Sequence, residues 1–239
     1  MPLINPKEMF AAAYAGGYAI GAFNVNNMEI IQGIMSAASE EKSPVILQVS
    51  SGARKYAGQV YIMKLVEAAL ALDPSIPVVV HLDHGPSFEM CRDCIDGGFT
   101  SVMIDASQES FEDNVALTKQ VVAYAHERGI VVEAELGHVG ANDTSEADEI
   151  TDSVYTEVAD VQAFVAATQV DSLAVSIGTA HGVYKGTPKI NFDRLHEIAS
   201  LTDVPLVLHG GSSSGDENLG RCAREGITKI NIYTDFIVA

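Results

Sequence analysis

The feature that most constrains the fold is a regular alternation of short apolar runs with longer helical patterns. Eight runs rich in Val, Ile and Leu have the length and composition of β-strands. They cover residues 19–23, 45–49, 78–82, 101–104, 131–134, 172–177, 206–208 and 229–232. Most of them are continuously apolar, which is typical of parallel strands that are covered on both faces.

Helical patterns lie between these runs. The segment 28–41 has apolar residues at helix spacing, among them Ile31, Met35 and Ala38. Further predicted helices cover residues 88–96, 111–128, 158–168, 192–200 and 218–225. Strict strand–helix alternation predicts a (β/α)8 TIM barrel, with residues 1–239 as one domain. A doubly wound open sheet is the rival, but no G-x-G-x-x-G follows the first run, which disfavours its dinucleotide-binding form.

The eighth run lies close to the end of the 239-residue sequence. A (β/α)8 barrel is typically about 250 residues long and places a helix after its eighth strand. We therefore expect a C-terminally truncated barrel that lacks the helix after strand 8. The outer faces of strands 1 and 8 should then be exposed.

Composition excludes several classes of protein. The chain has 14 Lys+Arg and 32 Asp+Glu, a formal net charge of −18, which argues against nucleic-acid partners and anionic membranes. No run is long and apolar enough to predict a membrane span, and no signal peptide is evident. Three cysteines fit a reducing cytoplasm, so we expect a cytoplasmic protein. Cys91 and Cys94 form an isolated C-x-x-C, for which packing inside a helix is favoured over zinc binding.

Polar side chains follow the apolar runs, at the end of a barrel where active sites form. Three of them, His84, His181 and His209, lie in glycine-flanked turns far apart in the sequence. A single histidine is usually structural, but three neutral imidazoles with one open position make a catalytic zinc site. Carboxylates occur at the same predicted rim, at Asp83, Asp105 and Glu135.

Glycine turns after the last two runs indicate a phosphate site. Gly210 and Gly211 allow the backbone to approach a ligand closely, and barrels often bind phosphate after strands 7 and 8. The side chains that can donate hydrogen bonds there are Ser212, Asn231 and Thr234. Ser212 also suits a helix N-cap, and both roles are compatible. Lys185 is either a cation near the phosphate or a solvated loop lysine.

Six motifs in order carry a family resemblance: HLDHG, MIDAS, VEAELG, GTAHGVYKG, LHGGSSSG and KINIYTD. Together they closely resemble the class II, zinc-dependent ketose-bisphosphate aldolases, which include the fructose- and tagatose-1,6-bisphosphate enzymes. The resemblance extends from residue 23 to the last residue. It implies a lyase of carbohydrate metabolism that forms dihydroxyacetone phosphate and an aldehyde from a phosphorylated ketose through a metal-stabilised enediolate.

The resemblance also implies roles for individual residues. His84, His181 and His209 would bind the catalytic Zn²⁺, and Asp83 would be the general acid/base. Asp105 and Glu135 match an alternative or second divalent-metal site. The positions that match the dihydroxyacetone phosphate site are Gly182, Gly210, Gly211, Ser212, Asn231 and Thr234. Those that match the aldehyde side are Asn24 and Ser50.

A polar, acidic segment at residues 137–155 is longer than a usual βα loop. In the family, the loop after strand 5 provides the acid that exchanges a proton with the enediolate carbon. Here that stretch reads GANDTSEADE, which differs from the family pattern. Its register places Asp143 nearest the expected acid, with Glu146 as a substitute.

Two other functions remain open from the residues alone. One is a different zinc-dependent barrel enzyme, such as a hydrolase, which needs no phosphate site. The other is a non-catalytic remnant that binds metal or phosphate. The family is usually dimeric or larger, which implies a homodimer or higher homo-oligomer, and it also implies a monovalent-cation site.

Overall fold

The computed structural model describes residues 3–140, 154–182, 184, 186 and 188–238. Eight parallel strands close into a barrel in sequence order, β1 to β8. The strands are β1 (Ile20–Asn24), β2 (Val45–Ser50), β3 (Val78–Gly85), β4 (Ser101–Ile104), β5 (Val131–Leu136), β6 (Ser172–Val175), β7 (Leu206–Leu208) and β8 (Ile227–Ile232). The predicted (β/α)8 barrel is therefore confirmed.

Helices surround the barrel. The described helices are α1 (Lys7–Gly16), α2 (Met28–Glu41), α3 (Ser51–Ala57), α4 (Gln59–Leu72), α5 (Phe88–Asp96), α6 (Phe111–His126), α7 (Val158–Thr168), α8 (Phe192–Ala199), α9 (Asp216–Arg224) and α10 (Thr234–Ile237). The predicted bounds of α2, α5 and α7 match those observed. The sequence analysis did not identify α1, α3 or α4.

The main core lies between the barrel and the helices, as the continuously apolar strands predict. Alternate residues of β3, such as Val80 and Leu82, pack outward with Ile62 of α4 and Cys91 of α5. Cys91 and Cys94 are buried free thiols, consistent with the packing role expected for them. A second cluster packs Met9 and other residues of α1 against side chains of β1, β2 and β3. Along each strand, these side chains alternate with the outward-facing ones.

Strand β8 is followed by a single helical turn, α10, so the element after strand 8 is short. Phe236 of α10 packs on Phe23 of β1, with ring centroids 5.9 Å apart. Gly21 and Phe23 are only partly buried and line an apolar groove of about 840 Å³ between β1 and α2. The outer face of strand 1 is thus partly exposed, as expected. The expectation was wrong for strand 8, which is buried except for its last residue, Ile232. Within the described residues, no helix is long and apolar enough to span a membrane.

Candidate active site

The barrel brings the polar residues of the strand ends to one rim, because all eight strands are parallel. Asn24 and Ser50 are the last residues of β1 and β2, while Asp83 and His84 lie near the end of β3. The remaining rim residues in the strands or just after them are Asp105, Glu135, His181, His209, Asn231 and Thr234. The sequence had placed all of these on one rim.

Three imidazoles meet at the centre of the rim. The Nε2 atom of His84 lies 3.2 Å from Nε2 of His181 and 2.9 Å from Nδ1 of His209. A tetrahedral zinc site with Zn–N bonds of about 2.0–2.1 Å has nitrogens about 3.3 Å apart. The three ligand atoms are therefore grouped at a spacing that fits a single Zn²⁺ ion.

Two of the imidazoles are held by carboxylates outside this cluster. Nδ1 of His84 lies 2.6 Å from the Asp105 carboxylate, and Nε2 of His209 lies 2.9 Å from the Glu133 carboxylate. The backbone N–H of His181 donates a hydrogen bond of 2.8 Å to the carbonyl oxygen of Gly140. Such outer carboxylate partners fix the ring orientation of metal-binding histidines and set which nitrogen carries the proton.

His84 also has an unusual backbone conformation. Its φ of 47° lies in the left-handed region, which is uncommon for residues other than glycine, although histidine, asparagine and aspartate adopt it more often than the rest. Such a conformation costs on the order of 1–3 kcal/mol and is typical of functional sites. The hydrogen bond between His84 and Asp105 helps to hold this conformation.

The three imidazoles differ in basicity in the metal-free protein. Burial lowers the pKa of His84, but the carboxylates of Asp83, Asp105 and Glu135 outweigh it and raise that pKa to about 10. Burial, together with the positive charge of His84, lowers the pKa of His181 to about 4 and that of His209 well below its usual value. Two of the three rings are therefore neutral at pH 7, as metal ligands must be.

Asp83 lies beside the imidazoles as a buried carboxylate. One of its oxygens accepts a hydrogen bond of 2.7 Å from Nδ2 of Asn24, whose own amide oxygen accepts one from Gln48. Its other oxygen lies 4.0 Å from Nε2 of His84. Burial opposes ionisation, but the nearby charges of His84, His209 and Lys229 lower the pKa of Asp83 overall. Asp83 is therefore ionised at neutral pH.

A second group of possible metal ligands shares His84 with the first and adds Asp105 and Glu135. One oxygen of Glu135 accepts a hydrogen bond of 2.8 Å from the backbone of Val139, while the other is buried with no partner among the described residues. Burial raises the pKa of Glu135 to about 8. A buried oxygen of this kind fits a cation ligand, since carboxylates are preferred by hard divalent ions.

A small cavity of about 90 Å³ lies beside the imidazoles. It is lined by Asn24, Asp83, His181, Gly182, Gly210, Ser212, Asn231, Tyr233 and Thr234. Gly210 has a φ of 67°, and a Cβ atom there would overlap the backbone of Ala180. A Cβ on Gly211 would lie 2.8 Å from the Asn231 carbonyl oxygen. These backbone segments can therefore pack closely beside the cavity only because both positions are glycine.

The hydroxyl of Ser212 is oriented by two backbone groups. Its oxygen accepts hydrogen bonds from the N–H groups of Tyr233 and Asp235, at 3.0 and 3.4 Å. A hydroxyl that accepts in this way keeps its own hydrogen to donate. The amide oxygen of Asn231 is buried and has no partner among the described residues. The cavity thus has polar groups suited to a small anionic or hydroxylated ligand.

Several polar residues at or below the site were not predicted from the sequence. Tyr233 lines the cavity, and its hydroxyl contacts the amide of Asn26. Glu133 and Lys229 are buried inside the barrel beneath the imidazoles, next to His81, which the sequence does place inside strand 3. The available signal was a charged residue inside an apolar strand, because fully buried Lys and Glu are almost always paired.

Some predicted site residues lie outside the described part of the chain, namely Lys185, Asp143 and the substitute Glu146. The acidic segment that contains Asp143 is joined at its base by an antiparallel bridge between His138 and Val154. Ser50 caps α3, accepting a hydrogen bond of 3.1 Å from the backbone of Ala53.

A parallel (β/α)8 barrel with converging imidazoles and carboxylates at its C-terminal rim has the arrangement expected of a metal-dependent barrel enzyme. Comparison with known proteins specifies the class. Residues 4–239 match the family described as "Fructose-bisphosphate aldolase class-II". The chain therefore belongs to the class II fructose-bisphosphate aldolase family, and the resemblance found in its motifs is confirmed.

Individual relatives agree with this family. The chain is 48% identical to the fructose-bisphosphate aldolase of Staphylococcus aureus (strain Mu50 / ATCC 700699), over 100% of this chain and 84% of the relative. It is 46% identical to the enzyme of Geobacillus stearothermophilus, over 100% of this chain and 83% of that one. The crystal structure of the YdjI aldolase from Escherichia coli K12 superposes with a TM-score of 0.87 at 37% identity, over 99% of this chain and 83% of that chain. The protein is thus an aldolase, a carbon–carbon lyase.

Proposed function

We propose that this aldolase is zinc-dependent and that it reversibly cleaves a phosphorylated ketose into dihydroxyacetone phosphate and an aldehyde. The observation that carries the proposal is the juxtaposition at one rim of three imidazole nitrogens, the buried Asp83 carboxylate and a glycine-lined cavity. Family membership supports the aldol chemistry, and the donor set supports the metal.

Aldol cleavage leaves an electron pair on a carbon next to a carbonyl group, so the enzyme must stabilise that charge. His84, His181 and His209 would hold Zn²⁺ through the nitrogens that face one another. When bound, the ion would act as a Lewis acid that polarises the ketose carbonyl and stabilises the enediolate.

Asp83 would be the general acid/base for the aldehyde-derived oxygen. In cleavage its carboxylate accepts the proton of the C4 hydroxyl, the C3–C4 bond breaks, and the bonding pair remains on C3. In condensation Asp83 returns the proton to the same oxygen. Its ionised state and its hydrogen bond from Asn24 suit this role, since the amide holds the carboxylate toward the imidazoles. Asn24 and Ser50 would lie on the aldehyde side of the ligand.

The phosphate would occupy the cavity beside His181. Gly182, Gly210 and Gly211 would provide backbone N–H groups, and the side chains of Ser212, Asn231 and Thr234 would donate hydrogen bonds. Lys185 would add a positive charge. Because these groups act locally, the net charge of −18 does not oppose an anionic substrate.

Proton exchange at C3 needs a second acid. Asp143, with Glu146 as a substitute, remains our candidate for it. Asp105 and Glu135 would serve an alternative or second divalent ion together with His84. The Glu135 oxygen that has no partner among the described residues supports this role. A monovalent-cation site, a homo-oligomeric assembly and one domain over residues 1–239 remain predictions.

We expect Gly210→Ala to weaken substrate binding. The added Cβ would overlap the backbone of Ala180 and impose a left-handed φ on alanine, which costs more than about 1 kcal/mol. Displacement of this turn should raise the KM for the ketose phosphate about tenfold with a smaller change in kcat. Gly33→Ala is a matched control, since Gly33 lies inside α2 with open space around it. An unchanged KM in Gly210→Ala would remove this turn from the binding site.

The proposed function is tested by offering the zinc-loaded protein a set of ketose mono- and bisphosphates that differ in configuration at C4. Dihydroxyacetone phosphate and inorganic phosphate are measured separately. We expect dihydroxyacetone phosphate from at least one substrate and no release of inorganic phosphate. Phosphate release without aldol cleavage would indicate a hydrolase. Absence of any cleavage with metal bound would contradict the proposal and indicate a non-catalytic binding protein.

A further inference from the structure

A chain of buried polar groups runs through the barrel beneath the imidazole cluster. Nε2 of His209 lies 2.9 Å from Oε1 of Glu133, and Oε2 of Glu133 lies 2.8 Å from Nζ of Lys229. The same Nζ lies 3.3 Å from Nε2 of His81, whose Nδ1 is 2.8 Å from the Ser101 hydroxyl. All five residues are buried, with Lys229 at 0% and Glu133 at 1% exposure.

The register of the strands explains this placement. His81, Glu133 and Lys229 each lie two residues before a rim residue on the same strand: Asp83 on β3, Glu135 on β5 and Asn231 on β8. Because side chains on a strand alternate with a period of two, each pair points to the same side of the sheet. The three residues therefore form a polar layer directly below the layer that forms the rim.

Lys229 determines the direction of each hydrogen bond in the chain, because an ammonium group can only donate. It donates to Oε2 of Glu133 and to Nε2 of His81, so His81 carries its ring proton on Nδ1 and donates to Ser101. Oε1 of Glu133 is left to accept from His209. The proton of His209 therefore resides on Nε2, and the lone pair on Nδ1 points at His84.

This arrangement needs a reason beyond packing. Burying an ion pair contributes little to stability, because removing two charges from water offsets their mutual attraction. Here each oxygen of the Glu133 carboxylate has one partner, and one of those partners is a predicted metal ligand. The pair is placed where its charges act on His209.

We propose that Glu133 is a positioning residue for the metal, one that fixes His209 in the tautomer with a lone pair on Nδ1, and that Lys229 orients Glu133 by donating a hydrogen bond to its other oxygen. The inference rests on the proposed zinc function. Loss of such an outer partner typically lowers metal affinity about 10–100-fold.

The test measures the Zn²⁺ affinity of the wild type, Glu133→Gln, Lys229→Met and the double variant by competition with a chelator. Glu133→Gln leaves one amide oxygen for two donors, Lys229 and His209. We expect it to accept from the ammonium of Lys229. The amide NH₂ then faces Nε2 of His209 and drives the proton to Nδ1. We expect zinc affinity to fall about 10–100-fold. In the double variant the amide oxygen returns to His209, and affinity should recover to within about threefold of the wild type.

The melting temperature of each variant separates metal positioning from stability, because replacing both members of a buried ion pair often restores stability in a purely structural pair as well. The visible spectrum of the Co²⁺-substituted proteins provides an independent readout of the ligand geometry. Equal zinc affinity of the wild type and a folded Glu133→Gln would overturn the inference. So would a double variant that binds zinc as weakly as Glu133→Gln. Failure of the wild type itself to bind zinc would refute the proposed function along with the inference.

A further measurement reads the tautomer in the wild type itself. In metal-free protein labelled with ¹⁵N-histidine, the His209 ring should carry its proton on Nε2, with the assignment taken from the signal missing in His209→Ala. A proton on Nδ1 would overturn the inference.

Discussion

Replacing Asp83 with alanine should lower kcat for aldol cleavage by about 10²–10⁴-fold, the contribution typical of a general acid/base. The protein should keep its zinc, because Asp83 is not among the three converging imidazoles and its nearest carboxylate oxygen is 4.0 Å from His84. Asp83→Asn should lose a similar factor, since the amide keeps the shape but cannot accept the proton. Steady-state kinetics and zinc content of both variants provide the test.

Asp171 offers a matched control for Asp83. It is a partly buried aspartate just before β6, at the opposite end of the barrel, where it accepts hydrogen bonds from the backbone of Val132 and from His126. Asp171→Asn should lower the melting temperature, because those hydrogen bonds stabilise the fold by about 1–3 kcal/mol. Its kcat should match that of the wild type. Near-normal turnover in Asp83→Ala would show that another group transfers the proton.

The second large effect is expected for His209→Ala. Loss of an outer partner of a ligand lowers metal affinity by up to about 100-fold, and loss of a direct ligand should lower it further. At limiting zinc, turnover should fall below detection. The variant also leaves Glu133 without one of its two partners, so its thermal stability must be measured alongside. Zinc titration and the cleavage assay at fixed free zinc are the measurements.

His196 is the control histidine, since it is half-exposed on α8 and pairs with Glu225 at 2.7 Å. His196→Ala should retain wild-type zinc affinity and turnover within about twofold, as expected for a surface substitution. If His209→Ala bound zinc and turned over like the wild type, the three-imidazole site would be wrong.

Much of the fold was predictable because most strand positions are apolar. Parallel strands covered on both faces are rich in Val, Ile and Leu, and the runs 45–49 and 78–82 contain only one polar residue each, Gln48 and His81. Helix α4 was missed for a related reason. Val60 and Tyr61 are about three-quarters exposed next to the buried Ile62, so the apolar pattern there does not mark one face.

The rim residues were predictable since each follows an apolar run, and parallel strands bring their ends together. The layer below them was not. Glu133 and Lys229 are 96 positions apart and lie inside apolar runs, and only closure of the barrel makes them partners. Local sequence also does not determine which nitrogen of His209 faces the cluster, because that depends on the side chain of Glu133.

Metal removal and reconstitution test the central claim most directly. The purified protein is stripped with a chelator, assayed for ketose-phosphate cleavage, and assayed again after addition of one equivalent of Zn²⁺ per chain. We predict that cleavage disappears with the metal and returns with Zn²⁺, and that borohydride traps no substrate on a lysine. Full cleavage activity in the metal-free protein, or a trapped lysine adduct, would contradict the zinc-dependent mechanism.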